Sequence, residues 1–385
     1  MHLGIDATNI HQGGGVTHLV QLLSAASPRE QGISKITVWC SPKTAALFPE
    51  KPWLKIRSGA WMEGGSLKRF FFQHLFLSLE MRRAGCEIVF FPGGTLPLIS
   101  LLPPVTISQN MLPFELDKAA LFGRFSLMYL KFCALRLLQS ISFNRAVGII
   151  FLSKYAQDKI NKCVKINGLQ KLIPHGIEPR FIGKARIQKS IDAYSITEPF
   201  RFLYVSILMP YKHQIEVIRA IKELRDSGWP IALDLIGPFW SWYGKAVQNE
   251  INNLDPDGDF IQYLGEKPFE ALHCAYQKSD AFIFASSCEN LPNILIEAMA
   301  SGIPVACSSE GPMPEILGIE GIYFDPRIVF SIKNSLSQLM SSPEKRALNA
   351  KNASIRVGYS PWTNCANKTF ELINKCYENY CRLNR

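Results

Sequence analysis

Two carboxylates stand in a segment that otherwise looks bound for a hydrophobic core. Glu289 and Glu297, with seven residues between them, lie in CENLPNILIEAMASGIPV, residues 288–305. The run DAFIFAS just before it has the make-up of a buried strand, and Pro292 suits the first position of a helix that Gly302 ends. Glu289 is then expected in the loop, with Glu297 about 8 Å along the helix axis. The amides of Leu291 and Asn293 fall between the two acids, at a helix start that favours an anion. An acid, an anion-binding start and a second acid in a row suit an extended ligand with hydroxyls at each end and phosphate in the middle.

Two further stretches offer the same chemistry. Lys212 follows the strand at 202–206 and opens a helix marked by Ile215, Ile218 and Ile221. A cation at a helix start opposes the helix dipole, a cost that a bound anion relieves; a solvated surface lysine is the plain alternative. Near the N-terminus, Gly13, Gly14 and Gly15 precede a helix carrying Leu19, Leu22 and Leu23. Their spacing is not the dinucleotide fingerprint, and no phosphate-loop lysine follows. Ligand-facing amides at Gly14 and Gly15 and an ordinary turn both remain open.

These residues need strands and helices to hold them. Short apolar runs recur: HLGIDA, KITVWC, EIVFFPGG, PPVTISQN and VGIIFLS in the first half, closed by KLIPHG, then RFLYVSI, IALDLIG, FIQYLG, DAFIFAS and IPVACS. Most are separated by segments of helical length, which predicts two α/β domains with parallel sheets covered on both faces. The expected domains are 1–185 and 186–361, with a terminal helix over 362–385 returning to the first. Ligands of such sheets bind beyond the C-terminal strand ends, so two facing domains predict an interdomain cleft.

Composition narrows the function. The chain has 385 residues, 47% hydrophobic and 19% charged, which is globular. Its net charge of +10 belongs to the first half, where residues 1–184 hold 22 Lys and Arg against 10 Asp and Glu. An anionic partner is implied, and no helix-turn-helix, zinc-finger or RRM signature favours nucleic acid. The ten cysteines include no C-x-x-C pair, so metal ligation is not expected and reduced thiols in a cytoplasmic protein are. Residues 88–114 are uncharged but broken by five prolines, which excludes a spanning helix there. No D-x-D pair follows a strand as a metal clamp, and DPDGD at 255–259 reads as a loop.

ENLPNILIEAMASGIPVACSSEGPMPEI resembles the E-x7-E signature of retaining glycosyltransferase family 4, a GT-B family. The likeness is strong over the second half and weaker in the first, through the Gly-rich loop, FLSKYAQDKI and LIPHGIEPRF. It implies that Glu289 holds donor-sugar hydroxyls, Glu297 the nucleotide ribose, and Lys212 the donor diphosphate. Gly14, Gly15, Leu291 and Asn293 would complete the phosphate site with backbone amides, and His175, in IPHG, would face the cleft or serve its turn. Two positions depart from the family. Ile207 stands where an arginine usually precedes the lysine, leaving Lys212 to His213 or Arg180 for help. Gln109 and Asn110 stand where many members carry a histidine; an amide orients a hydroxyl but is no general base.

The resemblance implies a metal-independent, retaining hexosyltransferase with no cofactor beyond its nucleotide-sugar donor. Its acceptor would be a saccharide or lipid-pyrophosphate-linked glycan of bacterial surface polysaccharide, O-antigen or capsule. Residues 118–146 carry five basic residues and no acid among many apolar ones, and SLKRFFFQHLFLSLEMRRAG is similar. Either these are ordinary core helices with cationic edges or they meet an anionic membrane surface from the cytoplasmic side. A nucleotide-sugar epimerase, an inactive sugar-binding homologue and a dinucleotide-dependent oxidoreductase are the competing classes.

Overall fold

A computed structural model describes residues 1–11, 13–63 and 65–384. The chain divides into two compact units: Met1–Leu116 with Leu130–Gly176 and Ser360–Arg385, and Asp117–Tyr129 with Ile177–Tyr359. The domain join expected at 185/186 compares with a division after Gly176, and the segment Asp117–Tyr129 folds with the second unit. There Phe122 packs edge-on against Trp240 at 5.3 Å, and Lys118 donates to Glu310 at 3.0 Å.

Unit 1 holds a seven-stranded parallel sheet in the order β3-β2-β1-β4-β5-β6-β7. Its strands are β1 His2–Ala7, β2 Lys35–Cys40, β3 Leu54–Arg57, β4 Ile88–Phe91, β5 Pro104–Ile107, β6 Gly148–Phe151 and β7 Leu169–Leu172. Unit 2 holds a six-stranded parallel sheet in the order β10-β9-β8-β11-β12-β13. These are β8 Phe200–Val205, β9 Ile231–Ile236, β10 Ile261–Tyr263, β11 Ala281–Phe284, β12 Val305–Ser308 and β13 Ile322–Phe324. The central strands β4, β5, β6, β11 and β12 are buried at every residue, which is why they read as unbroken apolar runs. Each fully buried Ile, Leu or Phe contributes about 1.5–3 kcal/mol against the chain's ordering entropy.

In both sheets the strand order reverses beside the first strand, between β1 and β4 and between β8 and β11. Such reversals splay the following loops apart and open a crevice at the carboxyl ends. The short, half-buried edge strands β3 and β13 were not among the expected runs, since LKIR is interrupted by charge and IYF is only three residues long.

The chain returns to unit 1 through the helix Trp362–Leu383, whose Tyr377 hydroxyl donates to Glu87 at 2.7 Å. At its start Gly176 passes so close that a Cβ there would stand 2.4 Å from the Trp362 amide nitrogen. No described helix is long and apolar enough to cross a membrane.

Candidate functional site

Unit 2 gathers charge at its order reversal. The chain leaves β8 through residues 206–209, makes a tight turn Pro210–Lys212, passes His213 in the left-handed region (φ 52) and enters the helix Gln214–Asp226. It leaves β11 through a loop that ends at Pro292, before the helix Asn293–Ala300. The two loops are laced together. The Ser287 amide donates to the Tyr211 carbonyl at 2.8 Å, and the His213 Nε2 lies 2.9 Å from the Ser287 Oγ. Gln214 adds bonds from its side-chain nitrogen to Ser206 Oγ at 2.8 Å and to the Ile207 carbonyl at 3.0 Å.

That scaffold places Lys212 against Glu289 in an ion pair, with the two side chains only 9% and 15% exposed. The Lys212 ammonium also lies 5.2 Å from the ring centres of Tyr211 and Phe284. The carboxylate and the two aromatic faces offset the cost of burying the Lys212 ammonium. An incoming dianion can take over the ammonium and release Glu289 to accept from hydroxyls.

Glu297 sits in a different environment. It is buried on the helix Asn293–Ala300, and the Tyr276 hydroxyl donates to it at 3.1 Å. Burial, opposed by that hydrogen bond, pushes its pKa up to about 8; the nearby Glu178 charge adds to the rise and Arg180 counters it. At neutral pH its carboxyl is therefore mostly protonated, with one donor and spare acceptor capacity. Arg180 is ion-paired with Glu178 and lies 5.5 Å from the Phe269 ring centre, so its charge serves the Glu297 cluster rather than Lys212.

Two local details differ from expectation. Pro292 is the residue before the helix, not its first position, and the chain ends that helix with Gly302 at φ 73 as expected. The Asn293 amide donates to the Leu291 carbonyl at 3.0 Å, a tight turn that occupies one of the two amides expected to meet phosphate.

Beside β1, unit 1 surrounds a buried carboxylate with uncharged partners. Near the end of β1, Asp6 accepts from the Thr8 amide at 2.9 Å, the Thr8 hydroxyl at 2.6 Å and the Gln73 side-chain nitrogen at 2.6 Å. This fixes the turn toward Gly13, which opens the helix Gly14–Ser24 with no side-chain cap. Gly14 and Gly15 therefore lie in the first turn, where helix amides point outward. A Cβ on Gly15 would stand 3.3 Å from the Gln109 Oε1.

Gln109 donates from its side-chain nitrogen to Nδ1 of His18 at 3.0 Å. Burial, with His175 alongside, holds the His18 pKa well below its ordinary value. The ring is then neutral with its proton on Nε2. His175 stacks on His18 at 4.6 Å and on Trp362 at 5.4 Å, so it stands inside an aromatic stack and is 8% exposed. Asn110 accepts the Leu112 amide on Oδ1 at 3.0 Å, bracing the turn Leu112–Phe114.

Tyr276, Ser287, His18 and Trp362 did not stand out in the sequence. Their partners lie between 21 and 91 residues away, or are joined by ring stacking, so no local spacing marks them.

Residues 187–356 match the family model described as glycosyl transferases group 1. Among curated proteins, the O-antigen chain mannosyltransferase B of Escherichia coli is 30% identical over 168 residues, 43% of this chain and 44% of that protein. The chain spans about half the length of the curated relatives it matches. Among solved structures, the sucrose-phosphate synthase of Thermosynechococcus elongatus superposes with a TM-score of 0.77 at 16% identity, covering 98% of this chain and 100% of that one. WaaG, a glycosyltransferase involved in lipopolysaccharide biosynthesis, gives 0.68 at 13% identity over 97% and 99%. The fold is thus that of GT-B glycosyltransferases, and residues 187–356 are similar to the glycosyl transferases group 1 family.

Proposed function

We propose that this protein is a retaining, metal-independent hexosyltransferase using a nucleotide-diphosphate sugar. The observation that carries the reading is the buried Lys212–Glu289 pair at the β8/β11 order reversal, with Glu297 eight residues past Glu289 on the following helix and all three within the matched family segment. Lys212 takes the diphosphate, and Glu289, released from it, accepts from donor-sugar hydroxyls. The mostly protonated Glu297 carboxyl, braced by Tyr276, bonds the ribose hydroxyls. The Leu291 amide, with those of Gly14 and Gly15 in unit 1, and His175 are further candidates for donor binding.

In the transfer step the bond from the anomeric carbon to the diphosphate oxygen breaks. The acceptor oxygen bonds that carbon on the same face, and its proton passes to the departing phosphate oxygen. Lys212 stabilises the charge that grows on the leaving group, which is electrostatic catalysis. Asn110 spends Oδ1 on Leu112, so its NH2 is the group that orients an acceptor hydroxyl. The acceptor is a saccharide or lipid-linked glycan of bacterial surface polysaccharide, O-antigen or capsule; the O-antigen relative supports that class. The protein works in the cytoplasm, on the inner face of the membrane, and needs no cofactor besides the donor.

The test is a melting screen against nucleotide diphosphates and their sugars, followed by donor turnover. A matching donor raises the melting temperature by mass action, and nucleotide diphosphate release disappears in Glu289→Ala. A flat panel sinks the assignment. Donor isomerisation without release points to an epimerase instead, and binding without any turnover to a sugar-binding homologue.

A further inference from the structure

Unit 1 exposes large apolar side chains in three segments that are bonded to one another. The first is the helical run Ser66–Phe71, Phe72–Leu77 and Ser78–Arg83, whose middle part is a π turn. It buries Phe72, Gln73, His74 and Leu77 and turns Phe71, Leu75, Phe76 and Leu79 to solvent, Leu75 by 61%. The second is the loop 97–101, with Leu98 exposed by 59% and Ile99 by 69%. The third is the unit 1 part of the helix Leu127–Arg145, where Leu130, Leu137 and Ile141 are exposed at helical spacing, Leu137 by 64%.

Hydrogen bonds make these one surface. The Leu98 amide donates to His74 Nδ1 at 3.1 Å and the Leu101 amide to Ser78 Oγ at 2.7 Å. On the other side, the Leu96 amide donates to Ser142 Oγ at 2.9 Å and Arg145 Nη1 to the Pro97 carbonyl at 3.1 Å. The apolar loop is therefore pinned between the two helices rather than dangling.

Charge identifies the occupant. Residues 65–83 hold Lys68, Arg69, Arg82 and Arg83 against one acid, Glu80, which is ion-paired with Arg57 at 3.6 Å. Residues 130–145 hold Lys131, Arg136 and Arg145 and no acid, and the loop 97–101 is uncharged. A second copy meeting this face about a two-fold axis would bring like charges together. Nucleic acid would take the cations but leave the aliphatic residues in water. A layer of anionic headgroups over an apolar interior satisfies both at once.

We propose that this face docks unit 1 onto an anionic phospholipid surface, with Leu98 and Ile99 entering the acyl boundary and the arginines at headgroup level. The proposal deepens the membrane-side reading above, yet uses none of its transfer chemistry. Vesicle binding needs no donor, so its failure and the failure of transfer are read separately.

The experiment is flotation of the full chain with phosphatidylcholine vesicles, with or without phosphatidylglycerol. The expected result is a clear preference for the anionic vesicles, reduced about fivefold for each arginine neutralised in Arg82→Gln and Arg83→Gln. Leu98→Asp with Ile99→Asp should abolish flotation with both compositions while melting as the parent does. Equal binding to both vesicles, binding to neither, or undiminished flotation of the loop variant overturns the proposal. A concentration-dependent dimer that the loop variant abolishes, without flotation, overturns it in favour of a second copy, and competition by RNA in place of lipid overturns it likewise.

Discussion

The two order reversals of this chain are solved with opposite chemistry. Beside β8, unit 2 buries a lysine, its carboxylate partner and a second acid, Glu297, raised by burial. Beside β1, unit 1 buries Gln109, a neutral His18, His175 and Trp362, linked by one hydrogen bond and two ring stacks. The same topological position thus holds a buried ion pair in one unit and, in the other, stacked rings and a hydrogen-bonded amide near a carboxylate, Asp6, whose pKa burial raises. Charge in a dry site is held ready for a ligand of opposite sign, since exchanging partners costs less than stranding either ion. Neutral groups suit a ligand that brings hydroxyls and no charge.

The sharpest way to break the contrast is to strand one ion. Lys212→Ala leaves Glu289 without its cation and should cost about 3 kcal/mol of stability, read by denaturant unfolding of unit 2. Lys212→Met combined with Glu289→Gln should recover most of that loss while leaving donor turnover absent. A double variant no more stable than the single one would mean the pair's charge is not what the site is built around. In unit 1 the matching change is Trp362→Ala, which empties the end of the stack and should also cost about 3 kcal/mol through lost packing. No companion change of charge should rescue it.

A gentler probe uses pH, because the two sites respond in opposite directions. The Glu297 pKa is raised to about 8 in the folded chain, so the folded state holds a proton that the unfolded state releases above its ordinary value of 4.5. Its contribution to stability is full below that value and is lost as pH rises toward 8, with a limiting slope of about 1.4 kcal/mol per pH unit. Glu297→Gln should flatten this fall. His18 is lowered well below 6.5, so its contribution is present above 6.5 and lost as pH drops beneath it. Melting curves from pH 5 to 8 that follow each unit separately should show these two trends. A Glu297→Gln variant with an unchanged profile would show that the buried acid is not protonated at neutral pH.

What the sequence disclosed divides along the same line. Unit 2 was legible because its chemistry is local: a strand, a loop, Glu289, a proline, a helix carrying Glu297 and a closing Gly302 follow one another within 22 residues, 281–302. Lys212 was legible for the same reason, as a cation just past a strand. The stack in unit 1 was not, because His18, Gln109, His175 and Trp362 come from four distant parts of the chain. IPHG marks His175 as a turn residue, but the rings that enclose it leave no mark there. The Asn293 amide shows a finer limit: a one-residue shift of Pro292 turned an expected anion donor into a turn hydrogen bond.

The smallest expected effect separates two jobs of one side chain. Asn110 Oδ1 accepts from the Leu112 amide, while its NH2 is the group proposed to orient the acceptor. Asn110→Asp keeps an oxygen for Leu112 and removes the NH2; Asn110→Ala removes both. If both jobs are real, the aspartate variant melts within about 0.5 kcal/mol of the parent and the alanine variant loses about 1 kcal/mol, as for a lost cap. Both should then slow transfer to acceptor by about tenfold, the scale of one hydrogen bond, while donor hydrolysis is unchanged. Full transfer activity in the aspartate variant would assign Asn110 to its turn alone. Unit 1 would then meet its ligand through the Gln109–His18 pair, a ring and an amide held by one hydrogen bond.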